Sequence, residues 1–151
     1  MPHSESQNSK KLFLLVGAAL LVAAAVGTSL LYQRTFHDLD THRDKLGLRD
    51  DLVVREFHFQ FAPGVDSAMW SRLRAETEHI DRVFDPARVD VTSFSSSDYE
   101  FRVRGVDASW WQVDGSKLTG GEVEIDGNFL RVGYFAEGDG TLTVYFYWFE
   151  V

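Results

Sequence analysis

Glu56 and His58 stand two residues apart in an alternating stretch, the spacing that places a carboxylate and an imidazole on one face of a β-strand. Such a pair can move a proton to or from a substrate, and it is the sharpest acid/base candidate in the chain. An ordinary cross-strand polar contact is the simpler account of it. His37 and His42, with Asp38 and Asp40 between them, offer metal-compatible groups. On a helix, however, a separation of five turns the two imidazoles away from each other, and no third ligand is identifiable. Glu76 and His79 form a single Glu-x-x-His, where a dinuclear iron site needs two on facing helices.

The remaining candidates are weaker. Ser71, Ser93, Ser95, Ser96 and Ser97 lie outside any nucleophile-elbow pattern. Gly120–Gly121 and Gly138 to Gly140 read as hairpin glycines, without the strand-to-helix setting of a phosphate loop. Glu137 and Asp139 lack the alternating oxygen ligands of a dedicated calcium loop. The sequence contains no cysteine, which removes disulfides and thiolate metal sites from consideration. No catalytic residue, metal ligand or cofactor is therefore expected, and the chain reads as non-enzymatic.

The elements that would hold these residues follow from periodicity. Residues 52–61 alternate, with Phe57, Phe59 and Phe61 on one side and Glu56, His58 and Gln60 on the other, which is a strand pattern. Ala62, Pro63 and Gly64 break it. Met69, Trp70, Leu73, Ile80, Val83 and Phe84 then share one broad helical face, so residues 67–84 are expected as an amphipathic helix packed on a sheet and ended by Asp85–Pro86. From Arg88 the pattern becomes strands and turns: 89–94, 99–103, 110–113, 122–125, 129–135 and 141–151, with Asp126–Gly127 as a strong hairpin signal. The fold class read from this is α+β, a mostly antiparallel sheet carrying one amphipathic helix.

The last of these strands contains Tyr145, Phe146, Tyr147, Trp148 and Phe149 in succession. Alternation sends Tyr145, Tyr147 and Phe149 to one face and Phe146 and Trp148 to the other, so both faces are apolar. Either the strand is central and covered on both sides, or another molecule covers part of it. Trp110, Trp111, Tyr145, Tyr147 and Trp148 are accordingly the residues expected to form an interface with a partner or ligand.

Upstream, residues 12–32 carry no charge and are flanked by Lys10, Lys11 and Arg34. Their length as a helix, about 30 Å, matches a bilayer core, so they are expected to form a transmembrane helix. A cleaved signal peptide, with Ala23, Ala24, Ala25 and Gly27 near its cleavage site, is the competing reading. Ala19, Ala23 and Gly27 recur every fourth residue, a stripe that would let a second membrane helix approach closely. The expected organisation is a tail (1–11), a membrane helix (12–33), a helical stalk (34–48) ending at Gly47, and an extracytoplasmic head (49–151). The lysine pair beside the apolar edge favours an N-terminus in the cytoplasm and single-pass placement in a bacterial-type inner membrane. A hydrophobic N-terminal helix, stalk and sheet-rich head follow one another in type IV pilins too. Here, though, no glycine-terminated leader precedes the apolar run and no glutamate lies near its start, so that family is not assigned.

The formal net charge is −8, and residues 105–151 hold two basic side chains, Lys117 and Arg131, against eight acidic ones. Such a surface disfavours nucleic acid, whose phosphates require a basic partner. The expected role is an accessory or assembly subunit of a larger membrane complex, with other membrane subunits or a second copy as partners. The alternative is a tethered module recognising a glycan, lipid or peptide through its aromatics.

Overall fold

A computed structural model describes residues 17, 38–62, 66–95, 101, 108–113 and 118–151. The chain divides into two units, Met1–His37 and Asp38–Val151, and apart from Gly17 every described residue belongs to the second.

Five antiparallel strands form one sheet: β1 (Val54–Ala62), β2 (Ala68–Ala75), β3 (Thr119–Ile125), β4 (Asn128–Ala136) and β5 (Leu142–Phe149), in the spatial order β1-β2-β5-β4-β3. The aromatic strand β5 is the middle strand, which explains why both of its faces are apolar. Asp126 and Gly127 both adopt positive φ, at 52° and 79°, as the two-residue turn between β3 and β4 requires.

One face carries the main core. Met69, Leu73, Val144, Phe146, Trp148, Leu130 and Val132 point into it and are buried. Its cover comes from two irregular segments that contribute Leu39, Leu46 and Leu48 on one side and Val83, Phe84 and Val89 on the other. A helical turn at residues 38–42 leads into Gly47, whose φ of 62° ends the turn in left-handed geometry. The two segments are tied together where Arg49 N–H donates to the Val83 carbonyl at 3.1 Å and Asp85 N–H to the Gly47 carbonyl at 2.9 Å. Burying each large side chain in this layer contributes about 1.5–3 kcal/mol.

The opposite face has a smaller core of Phe101, Leu118 and Tyr145, with Trp111, Val113, Phe135 and Tyr147 packed around it. The described residues of the long β2–β3 connection thus cover part of that face.

Two expectations are corrected here. The amphipathic helix over 67–84 does not form: residues 68–75 are strand β2, followed by a 3-10 turn at Ile80–Arg82. Alanine, methionine and arginine favour helix intrinsically, but β2 pairs with β1 and β5 on both sides, and that pairing prevails. Because both of its faces are covered, Met69 and Trp70 are adjacent and both buried, which erases the alternation that marks a strand. The described fold is therefore mainly antiparallel β, not α+β. The membrane assignment is also corrected. Among the described residues no helix is long and apolar enough to cross a membrane, so the single-pass, inner-membrane placement is not carried forward. The stretch on which it rested, 12–32, lies outside the described residues except for Gly17, and so do Ala19, Ala23 and Gly27.

Smaller differences have local causes. Residues 91–93 form a 3-10 turn capped by the Asp90 side chain, which accepts from Thr92 N–H at 2.9 Å, in place of an expected strand. Gly120 and Gly121 lie within β3, not in a turn. The Cβ that any other residue would carry at 121 would stand 2.7 Å from the Phe94 ring, so a side chain is excluded where the core cover meets the sheet.

Candidate functional site

The register of the strands arranges the second face in straight rows. Glu56, Arg74 and Thr143 share one row, and His58, Arg72, Tyr145 and Gly133 the next. A third row runs across all five strands: Gln60, Trp70, Tyr147, Arg131 and Glu122. A fourth holds Ala62, Ala68, Phe149, Phe129 and Glu124.

The Glu56 and His58 rows are occupied internally. The Glu56 carboxylate faces Arg72 at 3.7 Å, and the His58 ring stacks on Trp110 with centres 5.8 Å apart and planes at 12°. No hydrogen bond joins Glu56 to His58, so the two residues share a face without forming a proton-transfer pair. Trp111 meets Phe101 at 5.7 Å and Tyr145 at 5.3 Å, edge-on to the latter. The Tyr145 hydroxyl donates to the Gln112 carbonyl at 2.7 Å. Burial above all, with the carboxylate of Glu137 adding to it, pushes the Tyr145 phenol pKa up.

Beyond the cover that the described residues provide, the last two rows form an aromatic strip. Trp70 and Tyr147 lie 5.4 Å apart, Tyr147 and Phe149 5.2 Å, and Phe149 and Phe129 5.5 Å, with interplanar angles of 18–34°. Tyr147, Phe149 and Phe129 are half-buried, while Trp70 is buried and its indole N–H has no acceptor. The Arg131 guanidinium sits 5.6 Å from the Phe149 ring centre and pairs with Glu122. The strip is thus bounded by a cation held against an aromatic ring and by the acidic side chains Glu122 and Glu124 of β3.

Of the residues expected to form the interface, Trp110, Trp111 and Tyr145 come together under the β2–β3 connection. Tyr147 alone lies on the strip. Trp148 is buried on the opposite face, with the Lys45 ammonium 4.4 Å above its ring. The ring faces a sugar would stack on are thereby engaged at Trp110 by His58 and at Trp148 by Lys45. Phe149, which alternation places on the Tyr147 face, and Phe129, Trp70 and Arg131 are not among the interface residues expected from the sequence. Counting outward from the Asp126–Gly127 turn would have found Phe129, but its pairing with Phe149 needs the β4–β5 register, and the helical reading of 67–84 hid Trp70.

The other chemical candidates are held by structural partners. His42 Nδ1 is buried without a hydrogen bond, its ring 4.8 Å from Phe59, and desolvation followed by the Lys45 charge lowers its pKa. Glu76 pairs with Arg55. Asp139 accepts from Thr141 and Arg74, and Glu137 from the Thr143 hydroxyl. His37, Ser96 and Ser97 lie outside the described residues. Among the described residues no group of three or more His, Cys, Asp or Glu is placed to hold a metal ion. Two adjoining clefts flank Arg49, of about 400 and 360 Å³. Their charges are largely mutual: Arg49 pairs with Asp51, and Arg88 with Asp44 and Asp126.

No protein-family model matches the chain, and neither a curated protein nor a solved structure matches it.

Proposed function

We propose that this chain is a non-enzymatic assembly subunit whose sheet domain docks a partner protein through the strip formed by Trp70, Tyr147, Phe149 and Phe129. The observation that carries the reading is the continuity of the strip: the half-buried rings of Tyr147, Phe149 and Phe129 run on into the buried Trp70 across three adjacent strands, beyond the edge of the cover that the described residues provide. Tryptophan, tyrosine and arginine dominate the energetics of protein interfaces, and the two aromatics bury large area with few torsions to freeze. The rings lie against one another at interplanar angles of 18–34°, and these contacts occupy ring faces that a flat sugar ring would need. With Glu122 and Glu124 at its border and a net charge of −8, the strip fits an apolar surface rimmed by lysine or arginine.

The test is a double substitution, Tyr147→Ser with Phe149→Ser, compared with the unsubstituted protein in quantitative affinity purification. The partner should be recovered in fixed stoichiometry with the wild type. It should fall by about ten-fold or more with the variant, because each lost anchor typically costs more than 1 kcal/mol of binding. Unchanged recovery of the same partner by a folded variant would refute the reading.

A further inference from the structure

The two edges of the sheet are built differently. At β3 the outer side is already taken, because Ser95 exchanges backbone hydrogen bonds with Gly120 at 2.9 and 3.1 Å, and the rest of the strand carries Glu122 and Glu124. Strand β1 is the opposite edge, longer at nine residues, and among the described residues it pairs only with β2. It contains neither lysine nor proline, the usual protections of a free edge. Its one irregularity, a bulge between Val54 and Glu56, leaves the register from Glu56 to Ala62 unbroken. Two of the exposed large apolar side chains of the domain are here: Val53, at 58% exposure, directly precedes the strand, and Phe61, at 40%, lies within it.

An unpaired row of backbone donors and acceptors is completed by another strand. We propose that β1 pairs antiparallel with β1 of a second copy of this chain, about a two-fold axis at Phe59, to give a continuous ten-stranded sheet. This surface is distinct from the aromatic strip and does not depend on the reading of it. The choice of a second copy rests on self-complementarity. Symmetry about Phe59 sets Phe59 against Phe59 and Phe57 against Phe61 of the second copy, so the core-side face of the junction is entirely aromatic. On the other face His58 meets Gln60, and Glu56 meets Ala62. No two like charges face each other, which matters for two acidic chains, and the only carboxylate involved, Glu56, already faces Arg72. Each aromatic cross-strand pair adds to the backbone bonds by an increment typical of sheets, and the closed two-fold arrangement uses up both free edges.

Because the chain has no cysteine, a single introduced thiol reports the register. In the full-length protein, Phe59→Cys places two thiols directly across the axis, on Cα atoms about 4.5–5.5 Å apart, within the span a disulfide bridges. Val53→Cys, exposed and off the axis, is the control; association through any other surface affects both alike. The proposal expects Phe59→Cys to form a covalent dimer at least about ten-fold faster than Val53→Cys under mild oxidation. It also expects the exposed-site variant Phe61→Lys, in the cysteine-free protein, to raise the dimer dissociation constant by about ten-fold in sedimentation equilibrium. Equal cross-linking rates at the two positions would overturn it. So would a wild-type protein that remains monomeric while a peptide of another sequence binds along β1, which would assign the edge to a foreign strand.

Discussion

Trp111 meets Tyr145 edge-on, ring centres 5.3 Å apart, while the hydroxyl of the same tyrosine donates to the carbonyl of the next residue, Gln112, at 2.7 Å. One side chain of the central strand thus holds the β2–β3 connection by packing and by a hydrogen bond together. Tyr145→Phe keeps the ring and removes the bond, leaving the Gln112 carbonyl to find water. It should lower unfolding free energy by about 1 kcal/mol in urea denaturation. Tyr145→Ala also empties the small core around Phe101 and Leu118 and should lose about 3–5 kcal/mol. Equal stability of wild type and Tyr145→Phe would mean that the bond contributes nothing in solution. Since burial raises the phenol pKa, the folded state disfavours the phenolate. This contribution is therefore complete below the ordinary value of 10 and is lost as pH climbs through the higher folded value.

Gly133, opposite Tyr145 on β4, makes the same contact possible from the sheet side. A Cβ at 133 would lie 3.0 Å from Leu118 Cδ1 and 3.1 Å from the Phe101 ring. Gly133→Ala should therefore force the cover away from the sheet, destabilising the domain by about 1–3 kcal/mol and weakening the near-ultraviolet circular dichroism of the neighbouring tryptophans. A variant as stable as wild type, with the same spectrum, would show that the cover moves freely.

How much of this was legible varies with the kind of signal. Strand β1, the Asp126–Gly127 turn and the two-sided burial of β5 were all readable, because each is fixed by a local pattern: alternation, a turn pair that tolerates positive φ, and a run of aromatics with no polar face. Strand β2 was not. Its apolar residues satisfy helical spacing as well as strand pairing, and only the need of β1 for a neighbour distinguishes the two. The aromatic strip was half legible for the same reason: Tyr147 and Phe149 declare themselves by alternation, whereas Trp70 joins them only once β2 is known to be a strand. Ring engagement, such as Lys45 over Trp148 or Trp110 over His58, depends on irregular segments that no periodicity encodes.

Ser71 is fully buried in the main core between Phe59 and Phe146, and its hydroxyl has no partner. Desolvating a hydroxyl without a compensating bond is unfavourable, whereas the methyl of alanine has nothing to satisfy. Ser71→Ala should therefore stabilise the domain by about 1 kcal/mol, read as a higher urea midpoint at unchanged slope. A lower midpoint would place an ordered water or a backbone carbonyl on that hydroxyl.

His42 provides a pH-dependent counterpart. Its ring packs on Phe59 with Nδ1 buried and unbonded; desolvation is the main cause of its lowered pKa, the ammonium of Lys45 lowers it further, and Asp38 opposes both only in part. The folded state thus holds the neutral imidazole more tightly than the unfolded chain does, whose histidine titrates near 6.5. Below that value the unfolded state binds more protons, so this contribution to stability is intact above about pH 6.5 and declines as pH falls through the lower folded pKa. His42→Leu keeps an apolar contact with Phe59 and removes the titration. Between about pH 7.5 and about pH 5, above the range of most carboxylates, the wild type should lose urea resistance relative to His42→Leu. Parallel curves for the two proteins would show that His42 is hydrated in solution and exerts no such control.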